Sequence, residues 1–170
     1  MTKRWMPHVT VAAIACHQGR FLVVEEETQA GLRLNMPAGH LDAGESLLQA
    51  VVREVLEETA HPFTPEALVG IYLASSPDKD GTPTSWLRFA FCGQVGKPDA
   101  TRALDDGIVR TLWLTADELA DSADRHRSPM VMAGLRDYLA GKRHALDVLV
   151  TDPSALAAWA GAQAPPAPQA

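Results

Sequence analysis

The stretch from Gly39 to His61 reads GHLDAGESLLQAVVREVLEETAH, and its pattern decides the fold. Pro37, Gly39, Asp42 and Gly44 make a turn-rich entry, and Pro62 stops the far end because proline cannot continue a helix. Between them Leu48, Val51, Val52 and Val55 recur at i, i+3, i+4 and i+7, the spacing of a core-facing stripe, so a helix is expected from about Glu45 to Thr59. Glu54, Glu57 and Glu58 recur at i, i+3 and i+4, so their carboxylates share a second face, expected to point away from the centre of the apolar stripe. Like charges at this spacing weaken a helix by about 0.2–0.5 kcal/mol per pair, and two of the three lie in the last turn, where the helix dipole disfavours anions. Hard oxygen ligation of Mg²⁺ or Mn²⁺ gives such a cluster a purpose; a solvated acidic face is the competing reading. Arg53 stands four residues before Glu57, in position to orient or partly neutralise it.

Outward from this helix, the segments His8 to Ala15, Arg20 to Glu26, Leu68 to Ala74, Ser85 to Val95 and Val109 to Leu114 are rich in β-branched and aromatic residues and read as strands. His17-Gln18-Gly19 joins the first two as a hairpin with glycine in the turn. Thr115 and Glu118 form a capping box that opens a short second helix. A third helix is expected with Ser128 as N-cap, Pro129 at its first position and Gly141 just past its end. This order implies an α/β fold of the α+β type, a mixed sheet packed between helices.

The whole chain has 170 residues and a net charge of −6, which suits one domain and argues against a nucleic-acid or anionic-membrane partner, since those need a basic face. Lacking an apolar run of membrane-spanning length and a signal-peptide cleavage pattern, the chain is expected to have no membrane partner. Cys16 and Cys92 read as small core residues, consistent with a reducing, cytoplasmic setting and no zinc site. Residues 1–150 are expected to form the domain, and the Ala- and Pro-rich stretch 151–170 a flexible tail, with a short docked helix around Leu156 to Trp159.

The fixed positions of the segment resemble the Nudix box, G-x5-E-x7-R-E-U-x-E-E-x-G-U. Gly39, Glu45, Arg53, Glu54, Glu57 and Glu58 match, and Val55 fills the first bulky aliphatic place. Two positions depart: Ala60 stands where the family has glycine and His61 at the second aliphatic place, so the exit loop is expected to differ. Glycine past a helix end commonly takes a left-handed backbone, which costs alanine roughly 1 kcal/mol. The flanking segments PHVTVA, FLVVEE, PAGHLDAGE, PDK, LRFAF, RSPMV and LRDYLAGKRHALDVL resemble a bacterial Nudix subfamily, the NudJ phosphatases.

The resemblance implies a Nudix α/β/α sandwich with a loop–helix–loop box, and water attack on phosphorus assisted by Mg²⁺, with Mn²⁺ an alternative. It implies phosphate release from nucleoside di- and triphosphates and from hydroxymethylpyrimidine diphosphate. A pyrophosphatase for ADP-ribose, dinucleoside polyphosphates or oxidised nucleotides is the alternative, and a non-catalytic nucleotide-sensing module the third reading. Glu54 and Glu58 are expected as main metal ligands and Glu57 as a further ligand or the base, with the Ala38 or Gly39 carbonyl as an added ligand. Arg53 is expected to support the catalytic carboxylates. Gly39 and Glu45 are expected to be structural within the box, Glu45 at the helix start where the dipole favours a carboxylate. Arg88 is a candidate phosphate grip and Trp86 a candidate stacking surface, with Leu87, Phe89 and Phe91 on the opposite, core face of their strand. His40, Asp105 and Asp106 are weaker candidates, as are Arg33, Asn35 and residues 78–80. The assembly is expected to be a monomer or homodimer.

Overall fold

The computed structural model describes residues 4–77 and 81–157. β1 (His8–His17) and β2 (Arg20–Thr28) form the expected hairpin. Gln18 and Gly19 hold φ of 50° and 75°, the two positive values that a two-residue turn of this hand needs. The two strands pair only beside the turn, at Cys16↔Phe21 and His17↔Arg20, and then splay apart. Residues 31–40 occupy the gap. They pair with β2 as β3 (Gly31–Asn35) and then with β1 as β4 (Ala38–His40).

On its other edge β1 pairs in parallel with β6 (Pro83–Val95), which pairs with β5 (Phe63–Pro77), while β7 (Ile108–Thr115) pairs with β2. The result is the seven-stranded mixed sheet read from the sequence. The sequence analysis did not separate β3 and β4 as strands. Arg33, Asn35, Pro37 and Gly39 interrupt the apolar pattern there, and the pairing is imposed by the splayed neighbours.

Both faces of the sheet are covered. α1 (Leu47–Thr59) packs Ala50, Val51 and Val55 on one face against Val11, Ala13, Leu22, Leu68 and Phe91. On the other face, α2 (Ala116–Asp121) and α3 (Met130–Leu139) set Leu119, Val131 and Leu135 against Ile14, Phe21, Ala90 and Cys92. Both alternating sets of β6 therefore enter a core, not only the set with Phe91. A further short helix, α4 (Pro153–Ala157), ends the described chain, and Leu156 lines a cavity of about 320 Å³ beside Leu47, Leu48 and Leu149. The expected docked helix overlaps α4 up to residue 157, while Trp159 and the flexible-tail expectation from 158 on lie outside the described residues.

Helix ends depart from expectation by a residue or two. α1 begins at Leu47 with Ser46 as N-cap and Gln49 completing a capping box, so Glu45 lies just before the helix rather than in its first turn. α3 begins at Met130 with Pro129 as N-cap, and the Ser128 hydroxyl accepts from the Met130 N–H at 3.3 Å. Thr115 and Glu118 form the expected box at α2.

One buried charge fastens β2 to its surroundings. Glu25 is 2% exposed and accepts from Arg110 Nε at 2.7 Å and from Arg125. The Arg110 hydrogen bond leads in holding its carboxyl below the usual range, against burial, and Arg125 adds to it. Replacing Arg110 and Arg125 together by alanine strands this carboxylate, and urea unfolding should show a loss of about 3–5 kcal/mol. Glu25→Ala should cost clearly less, because both half-exposed guanidiniums can turn to water.

Candidate active site

α1 is docked so that its row Ala50, Glu54 and Glu58 turns toward β4, beside the apolar row Val51 and Val55. Glu54 is 8% and Glu58 9% exposed. The carboxylate face therefore does not point away from the core as expected: Val52 is only half-buried, and the helix rotates its acidic row onto the sheet edge.

β4 receives this row through its backbone. In an antiparallel ladder, alternate residues turn their N–H and C=O toward the partner strand, and the residues between turn both away. Ala13 N–H donates to the Pro37 carbonyl and Leu41 N–H to the Val9 carbonyl, which leaves Ala38 and His40 facing the helix side. Ala38 N–H donates to Glu58 Oε2 at 2.8 Å, and the His40 carbonyl accepts from Arg53 Nη2 at 3.0 Å. The Ala38 carbonyl lies on the same side by the same alternation. Between them Gly39 has no room for a side chain, since a Cβ would stand 2.1 Å from Glu54 Oε2.

Arg53 ties the site together. Nε and Nη2 grip Glu45 at 3.0 and 2.7 Å. Nη1 donates to Glu54 at 2.7 Å and to Glu57 at 3.0 Å. Glu45 in turn accepts from Asp42 N–H at 2.8 Å, closing the entry loop. Its place before the helix makes it a partner of Arg53 rather than a dipole ligand. At the other helix end, Asp105 N–H donates to the Glu57 carbonyl and Asp99 N–H to the Ala60 carbonyl, so the loop before β7 satisfies terminal carbonyls and brings Asp105 near the acidic row.

Ala60 has φ of 57°, the left-handed conformation expected where glycine is usual. His61 is buried, with Nδ1 2.7 Å from the Gly96 carbonyl and its ring edge-on to Trp113.

The charges are strongly perturbed. Burial pushes Glu58 up to about 8, opposed by the Ala38 N–H and reinforced by Glu54, Glu26 and Asp105. Burial also raises Glu54, against its Arg53 hydrogen bond. Arg53 is held above its ordinary value, Glu45 first among the causes.

Across the sheet Arg88 is 8% exposed, and burial pulls it down to about 10 against the fields of Glu26 and Glu58. Its Nη1 reaches only Asn35 Oδ1, at 3.5 Å, while its Nε and the hydroxyl of neighbouring Thr10 are buried with no hydrogen-bond partner among the described residues. Trp86, His8 and His40 cluster two residues along.

Glu26, Thr10, His8 and Arg127, whose Nε is 3.8 Å from Glu26, were not found from sequence, because only strand pairing brings them here. Arg33 bonds the Leu32 carbonyl, Asp106 is exposed beside Asp105, and residues 78–80 lie outside the described residues.

Among the described residues no three acidic, histidine or cysteine side chains converge on one point; Arg53 stands between them. The donor set nevertheless fits a hard divalent cation. It offers buried carboxylate oxygens, a backbone carbonyl on the same side, and more negative charge than one guanidinium balances.

Residues 6–133 match the NUDIX domain family. The chain is 36% identical over 143 residues to Phosphatase NudJ of Escherichia coli strain K12, covering 84% of this chain and 90% of that protein. It resembles a solved NUDIX hydrolase from Nitrosomonas europaea with TM-score 0.82 and 48% identity, over 86% of this chain and 98% of that one. A MutT NUDIX hydrolase from Burkholderia pseudomallei, 20% identical, shares the fold with TM-score 0.62 over 78% of this chain and 98% of its own.

Two outcomes follow from the site. Gly39→Ala must displace the Glu54 carboxylate, and turnover should fall roughly 100-fold with the melting temperature little changed, because an ångström of misplacement is enough. In metal-free protein Glu58 keeps a proton that the unfolded chain releases near 4.5. The unfolded state then binds fewer protons, so stability should fall as pH rises from about 4.5 to about 8, and Glu58→Gln should flatten that slope in thermal melts.

Proposed function

The chain belongs to the Nudix family of hydrolases acting on pyrophosphate bonds, and from this we propose a metal-dependent, NudJ-like phosphatase that releases phosphate from nucleoside di- and triphosphates and from hydroxymethylpyrimidine diphosphate. The observation that carries the reading is the buried pair Glu54 and Glu58, held against the backbone of Ala38 and Gly39. Burying two carboxylates costs several kcal/mol without compensating charge, and Arg53 reaches only one of them.

Glu54 and Glu58, with the Ala38 carbonyl, would hold a divalent cation, Mg²⁺ or Mn²⁺, and Glu57 supplies the third carboxylate. When bound, the cation neutralises phosphoryl charge and acidifies a coordinated water. The protein's own part is positioning. Arg53 spends all five N–H groups on Glu45, Glu54, Glu57 and His40, so it fixes the carboxylates instead of gripping substrate. Glu57 is the most open of the three and is the carboxylate that a water proton can reach. Arg88, with donor capacity unused, receives a phosphate, and Trp86 offers a stacking surface.

The test is phosphate release with Mg²⁺ from GTP, GDP and hydroxymethylpyrimidine diphosphate, with ADP-ribose as counter-substrate. Release from the first three, abolished by EDTA, is expected; activity confined to ADP-ribose overturns the substrate assignment. Glu57→Gln should lower kcat by about 10²–10⁴-fold. An unchanged Mn²⁺ affinity in that variant assigns Glu57 as the base, and a weakened one assigns it as a ligand.

A further inference from the structure

The strand register sets two kinds of side chain in line. His8 pairs with Trp86 across the parallel β1–β6 ladder, and Thr10 pairs with Arg88 one step further in. Because strand side chains alternate, His8 and Thr10 share a face, as do Trp86 and Arg88, with about 6.6 Å between successive positions on that face. Thr10 also pairs with His40 of β4, which brings a third ring alongside. The His8 and Trp86 rings are 4.9 Å apart, and His40 stands 5.6 Å from each of them. Trp86 is anchored by its indole N–H to Ser76 Oγ at 3.1 Å, while His8 and His40 are exposed.

The inner step is built differently. Arg88 is more than nine-tenths buried, yet its Nε lacks a hydrogen-bond partner among the described residues, and so does the Thr10 hydroxyl beside it. Buried donors left open cost free energy unless a ligand completes them. His40 also joins this end to the carboxylates, since its backbone carbonyl is one of the Arg53 acceptors.

We propose that His8, Trp86 and His40 form a platform on which a heteroaromatic ring of the substrate stacks, while Arg88 and Thr10, one step inward, take its phosphate end. The enzyme thereby selects diphosphates carrying an aromatic ring a short arm from phosphorus over ringless ones. The proposal rests on the diphosphate-hydrolase reading for its phosphate half. The ring half stands on the aromatic cluster and its register with the open donors.

The experiment is calorimetric binding, in Mg²⁺, of two non-hydrolysable probes to the full chain: the α,β-methylene analogue of GDP and ringless methylenediphosphonate. Trp86→Ala is expected to weaken the nucleotide analogue about tenfold, the scale of one stacked base, and the ringless probe less than twofold. Trp86→Phe should restore most of the affinity. His8→Ala, at an exposed position that leaves folding intact, should weaken the nucleotide analogue alone by about threefold. Equal losses on both probes, no loss in any variant, or no binding of the nucleotide analogue would each overturn the platform. Ring-dependent binding without phosphate release from any diphosphate would uphold the platform and overturn the hydrolase reading. Phosphate release with no ring dependence would do the reverse.

Discussion

A guanidinium has five N–H groups, and Arg53 has an acceptor for each of them. That saturation is the constraint on which the rest of the site depends. Two donors grip Glu45 and so hold the entry loop, one reaches the backbone of β4, and two fix carboxylates on the same helix. Lysine, a point charge with three donors, has no geometry that would satisfy the same set. Because loop, strand and helix meet on one planar group, none can shift without opening a buried hydrogen bond.

The fold makes room for this meeting through the splay of β1 from β2. The hairpin pairs at its turn and nowhere else, and the chain returns through the gap as β3 and then β4. β4 has only three residues, but two of them face the helix with their backbone groups, and the middle one is a glycine pressed on Glu54. A short strand with its edge turned toward an acidic helix can solvate carboxylates that a side-chain core could not. Arg88 and Arg127 contribute positive charge from the other direction, around Glu26.

Much of this was legible in the sequence where the signal is local. The periodicity of Val51 and Val55 and the spacing of Glu54, Glu57 and Glu58 are properties of one helix, and they carried both the element and the acidic row. The left-handed turn at Ala60 was legible for the same reason, as a backbone requirement at a helix end. The rotation of that helix was not, because it depends on which row meets β4, a strand that exists only by tertiary pairing. The same holds for Thr10, His8 and Glu26. Nothing in their own segments marks them, and their significance comes from neighbours far away in the chain. His61 fills an aliphatic place by a different chemistry, with a hydrogen bond to Gly96 and an edge contact to Trp113, neither of which has a local signature.

The parallel ladder between β1 and β6 also sets an order of events during synthesis. His8 meets Trp86 and Ala15 meets Gly93, so the first strand waits for residues made much later. The whole Gly39–His61 segment is translated before its sheet partner on β6 leaves the ribosome. Helix α1 can form early from local contacts, but its acidic row has no finished surface to dock on until β6 closes the long loop. The nascent chain therefore carries an amphipathic helix with an uncovered apolar stripe through that interval, the stage at which vectorial synthesis leaves it most open to aggregation.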